Sequence, residues 1–86
     1  MAALHEDRDQ VSEAVLDMKR AIDSLREELE AVDWYNQRQD VTTDDDLREI
    51  LIHNMNEEKE HAAMLLEWIR RHDEAFAGQL AEYVKL

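Results

Sequence analysis

From Val11 to Val32 the apolar residues recur at steps of four, three, four, three, four and three: Val11, Val15, Met18, Ile22, Leu25, Leu29 and Val32. That alternation marks a long amphipathic helix with one apolar seam, and no period-two strand accommodates it. Turn chemistry agrees. There is no proline and a single glycine, Gly78, whereas a small all-β chain needs turn residues every ~8–12 positions. Ala, Leu, Glu, Gln, Arg and Met dominate instead, so the expected class is all-α. The first helix is expected over about 6–37, with Glu13, Lys19, Arg20, Asp23 and Arg26 on its solvated side.

The stretch from Asn36 to Thr43 interrupts the pattern. Thr43 reads as the N-cap of a second helix, because Asp44, Asp45 and Asp46 follow it and acids suit the positive helix end. This helix is expected over about 44–73, with Leu47, Leu51, Met55, Ala62, Leu65 and Ile69 as its stripe and Arg70, Arg71 and His72 in its last turn. Phe76, Leu80, Tyr83 and Val84 suggest a short third helix over about 75–84. The short link between the long helices makes them an antiparallel hairpin.

A chain of 86 residues is expected to form one domain, 1–86, and at this size only ~60% of the unfolded surface is buried. There is no cysteine for disulfide support, so metal binding or association must supply it. A hairpin with one seam also leaves its other core-facing surface bare. Homodimerisation into a four-helix bundle is the smallest remedy.

Acidic residues number 22 against 10 basic, a formal charge of −12. That field repels nucleic acid and anionic membranes and concentrates cations. The longest apolar run, Ala62 to Leu66, is far short of the ~20 residues of a membrane span. Residues 1–10 hold no apolar segment of the secretory kind, so a cytoplasmic location is expected.

The second helix carries an anomaly. With Leu51 as reference and about 100° per residue, Glu58 falls about 20° away, in the middle of the apolar stripe, and His61 about 80° away on its edge. A carboxylate buried there costs several kcal/mol unless something neutralises it. On the first helix, Ala14, Ala21, Glu28 and Tyr35 form a row at seven-residue intervals that flanks the seam, so Glu28 faces the interior. One inward Glu plus one Glu-x-x-His is half of the ligand set that di-iron and di-manganese carboxylate bundles use. Two-fold symmetry supplies the rest. Four carboxylates then balance two divalent ions. Other groupings have simpler explanations. The His53, Glu57, His61 row reads as a surface row rather than a zinc face, His72 as a helix-end residue, His5 as part of a mobile terminus, and Trp68 as core or interface. Met18 and Met55 read as core filler rather than haem ligands. Trp34 and Tyr35 suit helix-end packing equally well, and Tyr35 could instead hydrogen-bond a site ligand.

The run Glu27-Glu28-Leu29-Glu30-Ala31-Val32-Asp33-Trp34-Tyr35, followed by Gln37-Arg38, resembles the encapsulated ferritin family. So do His53-Asn54, Glu57-Glu58-Lys59-Glu60-His61-Ala62-Ala63-Met64 and Leu66-Glu67-Trp68. The resemblance implies a two-helix subunit whose dimer forms a ferroxidase centre, the dimers being arranged in a decameric ring. Glu28, Glu58 and His61 of both subunits would hold two irons, with Tyr35 and Trp34 nearby and dioxygen as electron acceptor. Glu27 and Glu30 would match acidic access or secondary metal positions. Such a ring encloses no mineral cavity, so storage inside an encapsulin shell is implied, reached through a C-terminal targeting tail if one exists in the full-length protein. The competing expectation is a non-catalytic metal-binding protein or a structural helical dimer or adaptor, since the donor set suits several metals.

Overall fold

The computed structural model describes residues 3–85. Helix α1 spans Glu13–Val41, α2 spans Asp45–His72 and α3 spans Glu74–Tyr83, with a single 3₁₀ turn at Arg8–Gln10 ahead of them. The class is all-α, as expected. The first two helices form the antiparallel hairpin, and α3 packs on α2 alone.

Helix α1 begins at Glu13, seven residues later than about residue 6. Ser12 stops it there, because its extended backbone and its hydroxyl, accepting from the Val15 amide at 3.2 Å, make a true N-cap. At the other end α1 runs through the expected break to Val41. No glycine or proline interrupts 36–41, and the side-chain amides of Gln37 and Gln39 donate to Asp33 and Asn36 at 3.0 and 3.2 Å along the helix surface. The cap of α2 is Asp44 rather than Thr43. Its carboxylate accepts from the Leu47 amide at 3.0 Å, and a charged acceptor suits the positive helix end better than a hydroxyl.

Arg48 closes this end of the hairpin. Its guanidinium donates to the Gln39 carbonyl at 3.0 Å, to the Thr42 carbonyl, and to Asp45 at 2.9 Å, so one side chain of α2 satisfies orphan carbonyls at the end of α1. At the far end Asp73 terminates α2 and caps α3, accepting from the Phe76 amide at 2.9 Å. Gly78 does not interrupt α3.

The buried apolar side chains are few: Leu16, Ala21, Met55, Ala62 and Ile69 among the described residues. Met18, Leu25 and Val32 are half-buried, whereas Val15, Ile22 and Leu29 stay 58, 43 and 56% exposed. The seam is thus only half used within one chain. The shape says the same. The Cα envelope measures 51 × 34 × 14 Å, one helix layer thick, and the radius of gyration is 16.4 Å, against about 12 Å for a compact domain of this length. The accessible surface is 6814 Å², against about 5,300 Å² for a compact monomer of this mass. Helical domains are ordinarily built from at least two packed layers, and this chain supplies one.

The other correction concerns Asp23, expected among solvated residues. It is 5% exposed. Leu4 and His5 line one groove with Lys19, Asp23 and Arg26, so the N-terminal segment, His5 included, lies against this face of α1. Lys19 and Arg26 reach the two Asp23 oxygens at 2.9 and 3.2 Å. The Lys19 ammonium above all, helped by Arg26, holds the carboxyl below its usual value although burial pushes the other way.

Candidate metal centre

The middle of the hairpin brings together three residues from two helices. Glu28 comes from α1, and Glu58 and His61 come one turn apart from α2. His61 Nδ1 lies 3.5 Å from a Glu28 oxygen and 3.4 Å from a Glu58 oxygen. One ligand-type atom from each residue falls within 4.8 Å of the others. Both carboxylate side chains are about three-quarters covered, at 23 and 24% exposure, while His61 is more open at 45%. These separations exceed the usual range for a good charge-assisted hydrogen bond. One oxygen makes the point most sharply: Glu28 Oε2 is buried and has no hydrogen-bond partner.

That arrangement is costly in isolation. Two carboxylates converge on one imidazole, and a buried acceptor goes unpaired, at about 1–3 kcal/mol for such a group. The α1 backbone puts Glu28 there because it follows Ala21 by seven residues, and the small Ala21 and Ala62 side chains are themselves buried between the helices. Two hard oxygens and one imidazole nitrogen, converging on a partly covered face of the hairpin, form a donor set suited to iron, manganese or zinc.

Other expected residues are placed differently. Tyr35 is half-buried and lies near the Arg38 guanidinium, 5.7 Å from its ring centroid. Trp34 is 49% exposed, with the same guanidinium 5.9 Å from its ring. Glu27 and Glu30 are exposed and lie outside the three-residue cluster. His53 pairs with Glu57 at 3.2 Å on the surface, while His61 meets Glu28 and Glu58, so their row does not gather into one site. His72 stacks on Trp68, ring centroids 3.9 Å apart, with Nδ1 2.7 Å from the Trp68 carbonyl. A carbonyl only accepts, so Nδ1 carries the proton there. The contact of Arg38 with both rings escaped the sequence reading, although an Arg three and four residues after a Tyr and a Trp is a visible cation–π spacing.

Comparison with known proteins decides the family. The EncFtn-like family model matches residues 3–85. The chain belongs to the EncFtn-like family. An encapsulated ferritin-like protein from Rhodospirillum rubrum is 54% identical over 80 residues, covering 93% of this chain and 57% of the relative. A ferritin-like protein from Thermotoga maritima is 53% identical over 68 residues, covering 79% of this chain and 60% of the relative. An encapsulin nanocompartment cargo protein from Myxococcus xanthus is 39% identical over 62 residues, 72% of this chain and 48% of the relative. The chain therefore spans roughly half to three-fifths of the length of these EncFtn-like relatives. A crystal structure of a protein from Nitrosomonas europaea superposes with a TM-score of 0.94 at 55% identity, covering 99% of this chain and 93% of that one. The all-helical fold is thus shared over nearly all of the described residues. Among the described residues no helix is long and apolar enough to cross a membrane.

Proposed function

We propose that this EncFtn-like chain carries half of a ferroxidase centre, completed by a second copy, with Glu28, Glu58 and His61 of each copy receiving two Fe²⁺ as substrate. The observation that carries the reading is the buried Glu28 Oε2 without a partner, beside Glu58 and His61. A cation would satisfy that oxygen, which His61 Nδ1 approaches only to 3.5 Å, beyond a good hydrogen bond. Two copies bring four carboxylates against two divalent ions, so the shared site is neutral with neutral imidazoles. The one-layer shape supports a second copy independently. The surface in excess of a compact monomer, about 1,500 Å², is larger than the ~800 Å² each partner buries in a standard interface.

In this reading the chain's own residues hold each Fe²⁺, leave positions open beside it, and exclude bulk water from the carboxylates. Each iron gives up one electron, and dioxygen accepts them. Glu27 and Glu30, within a net charge of −12, draw Fe²⁺ toward the site, and Tyr35 orients a phenol beside it. Exposed Val15, Ile22 and Leu29 lie about 100–140° round α1 from Glu28, so one dimer contact need not cover both surfaces. That favours an assembly larger than a dimer, a decameric ring by the family resemblance. The names of the relatives from R. rubrum and M. xanthus extend the proposal to association with an encapsulin shell, the compartment in which ferric product is kept.

The test is anaerobic titration of the metal-free protein with Fe²⁺, followed by admission of air while ferric absorbance is recorded. Saturation near one Fe²⁺ per chain is expected, with oxidation well above the buffer rate and lost in Glu58→Ala and His61→Ala. Stoichiometric binding without oxidation would leave a metal carrier. No binding would leave a structural helical dimer or adaptor.

A further inference from the structure

Tyr35 follows Glu28 by seven residues on the same row of α1 and is half-buried. Helical side chains lean toward the helix N-terminus, which for Tyr35 is the direction of Glu28, about 10 Å away along the axis. A long phenol spans much of that gap, but only if its ring is held. Trp34 points about 100° away from Tyr35, and falls within about 40° of both Glu27 and Glu30. The inward row and the outer acidic side are therefore separate surfaces of one helix, and a single group touches an aromatic ring on each. The guanidinium carbon of Arg38 is 5.7 Å from the Tyr35 centroid and 5.9 Å from that of Trp34.

We propose that Arg38 is a positioning residue that fixes the Tyr35 phenol beside the Glu28–Glu58–His61 cluster, using Trp34 as its second support. A cation within about 6 Å of a ring face is attracted by the ring quadrupole, and a guanidinium shared between two rings restricts both. Besides its charge in the last turn, Arg38 gives the end of α1 its backbone carbonyl, which accepts from the Thr42 amide at 3.2 Å and survives any side-chain change. Sequence spacing accounts for the contact, since Arg38 lies three and four residues after the two aromatics, where helical neighbours meet. The role rests on the ferroxidase reading above.

The test uses the full chain with Arg38→Met, Arg38→Lys, Tyr35→Leu and the Arg38→Met/Tyr35→Leu double variant, each checked for unchanged helix content. Initial rates of Fe²⁺ oxidation by dioxygen are expected to fall about five-fold in Arg38→Met and about two-fold in Arg38→Lys, and Arg38→Met should cost nothing further once Tyr35 is Leu. A wild-type rate in Arg38→Met, or an equal loss in the Tyr35→Leu background, overturns the proposal. A second readout needs no iron. In a Trp68→Phe background the remaining Trp34 fluorescence should change on Arg38→Met, and an unaltered emission overturns the clasp whether or not the chain oxidises iron. A wild type that oxidises no iron overturns the ferroxidase reading and, with it, the role given to Arg38, while the emission still reports on the contact alone.

Discussion

The two halves of the hairpin solve opposite problems. At its closed end the helix termini are capped from within the chain: Asp44 takes the Leu47 amide, Thr42 caps α1, and Arg48 reaches back to the carbonyls of Gln39 and Thr42. Three turns away, the Glu28–Glu58–His61 cluster holds two carboxylates 3.4–3.5 Å from one imidazole nitrogen and leaves the buried Glu28 Oε2 without a hydrogen bond. Both regions are built on the same two helices. On the proposed reading the difference follows from use: the closed end serves the folding of one chain, and the centre keeps an interaction in reserve for a metal ion and a second copy.

The largest effect should come from removing that reserve. Glu28→Leu deletes the unpaired oxygen and fills its place with an apolar side chain, so the metal-free protein is expected to gain about 1 kcal/mol of stability. Iron oxidation should fall to the buffer rate in the same variant. Opposite movements of stability and activity mark a functional site. Urea denaturation of the metal-free proteins at matched concentration, beside the oxidation assay, measures both. A Glu28→Leu protein less stable than wild type would mean that the centre is as well satisfied as the hairpin end, and the contrast would be gone.

This contrast bears on what a sequence can disclose. The Glu28, Glu58 and His61 grouping was legible because an acid in an apolar stripe violates the helical pattern, and violations stand out against periodicity. The hairpin and its approximate ends were legible for the same reason. Asp23 was not, because residues 3–5 line the same groove of α1, a contact that no helical wheel contains. Nor was the start of α1. Residues before Ser12 fit the helical composition well enough, and one hydroxyl accepting from the Val15 amide outweighs it. The cap of α2 was missed by one position because Thr43 and Asp44 are both good caps, and the choice depends on how Thr42 ends the preceding helix.

The closed end can be broken next. Arg48→Ala removes donors to the Gln39 and Thr42 carbonyls and to Asp45, and a loss of about 1–2 kcal/mol is expected. Fe²⁺ stoichiometry should be unchanged, since the cluster lies elsewhere on the helices. An Arg48→Ala protein as stable as wild type would show that water replaces the clasp fully. Below it comes the cap. Asp44→Ala should cost about 1 kcal/mol, whereas Thr43→Ala should stay within about 0.5 kcal/mol. Equal losses at the two positions would mean that the cap is shared, and the closed end less sharply defined than its hydrogen bonds indicate.

The smallest expected effect lies at the far end of α2, where satisfaction is achieved by charge. Glu67 accepts from Arg70 at 2.5 and 2.8 Å and from Arg71 at 2.9 Å. These bonds, Arg70 first and Arg71 next, bring its carboxyl from an ordinary 4.5 down to about 2. A folded-state value below the unfolded one means that the stabilisation is fully present above about pH 4.5 and is lost as pH falls toward 2. The partners are exposed, with Arg70 and Arg71 at 46 and 67%, so solvent and salt screen the contribution and keep it small. Glu67→Gln should therefore be slightly less stable than wild type at neutral pH, and the gap should close as the pH passes from about 4.5 to about 2. Denaturation midpoints of the two proteins, taken in parallel across that range, cancel the titration of the acids they share. A gap that persists unchanged at the acid end would assign Glu67 a packing role instead. The far end of α2 would then owe its stability to packing rather than to the Glu67 charge.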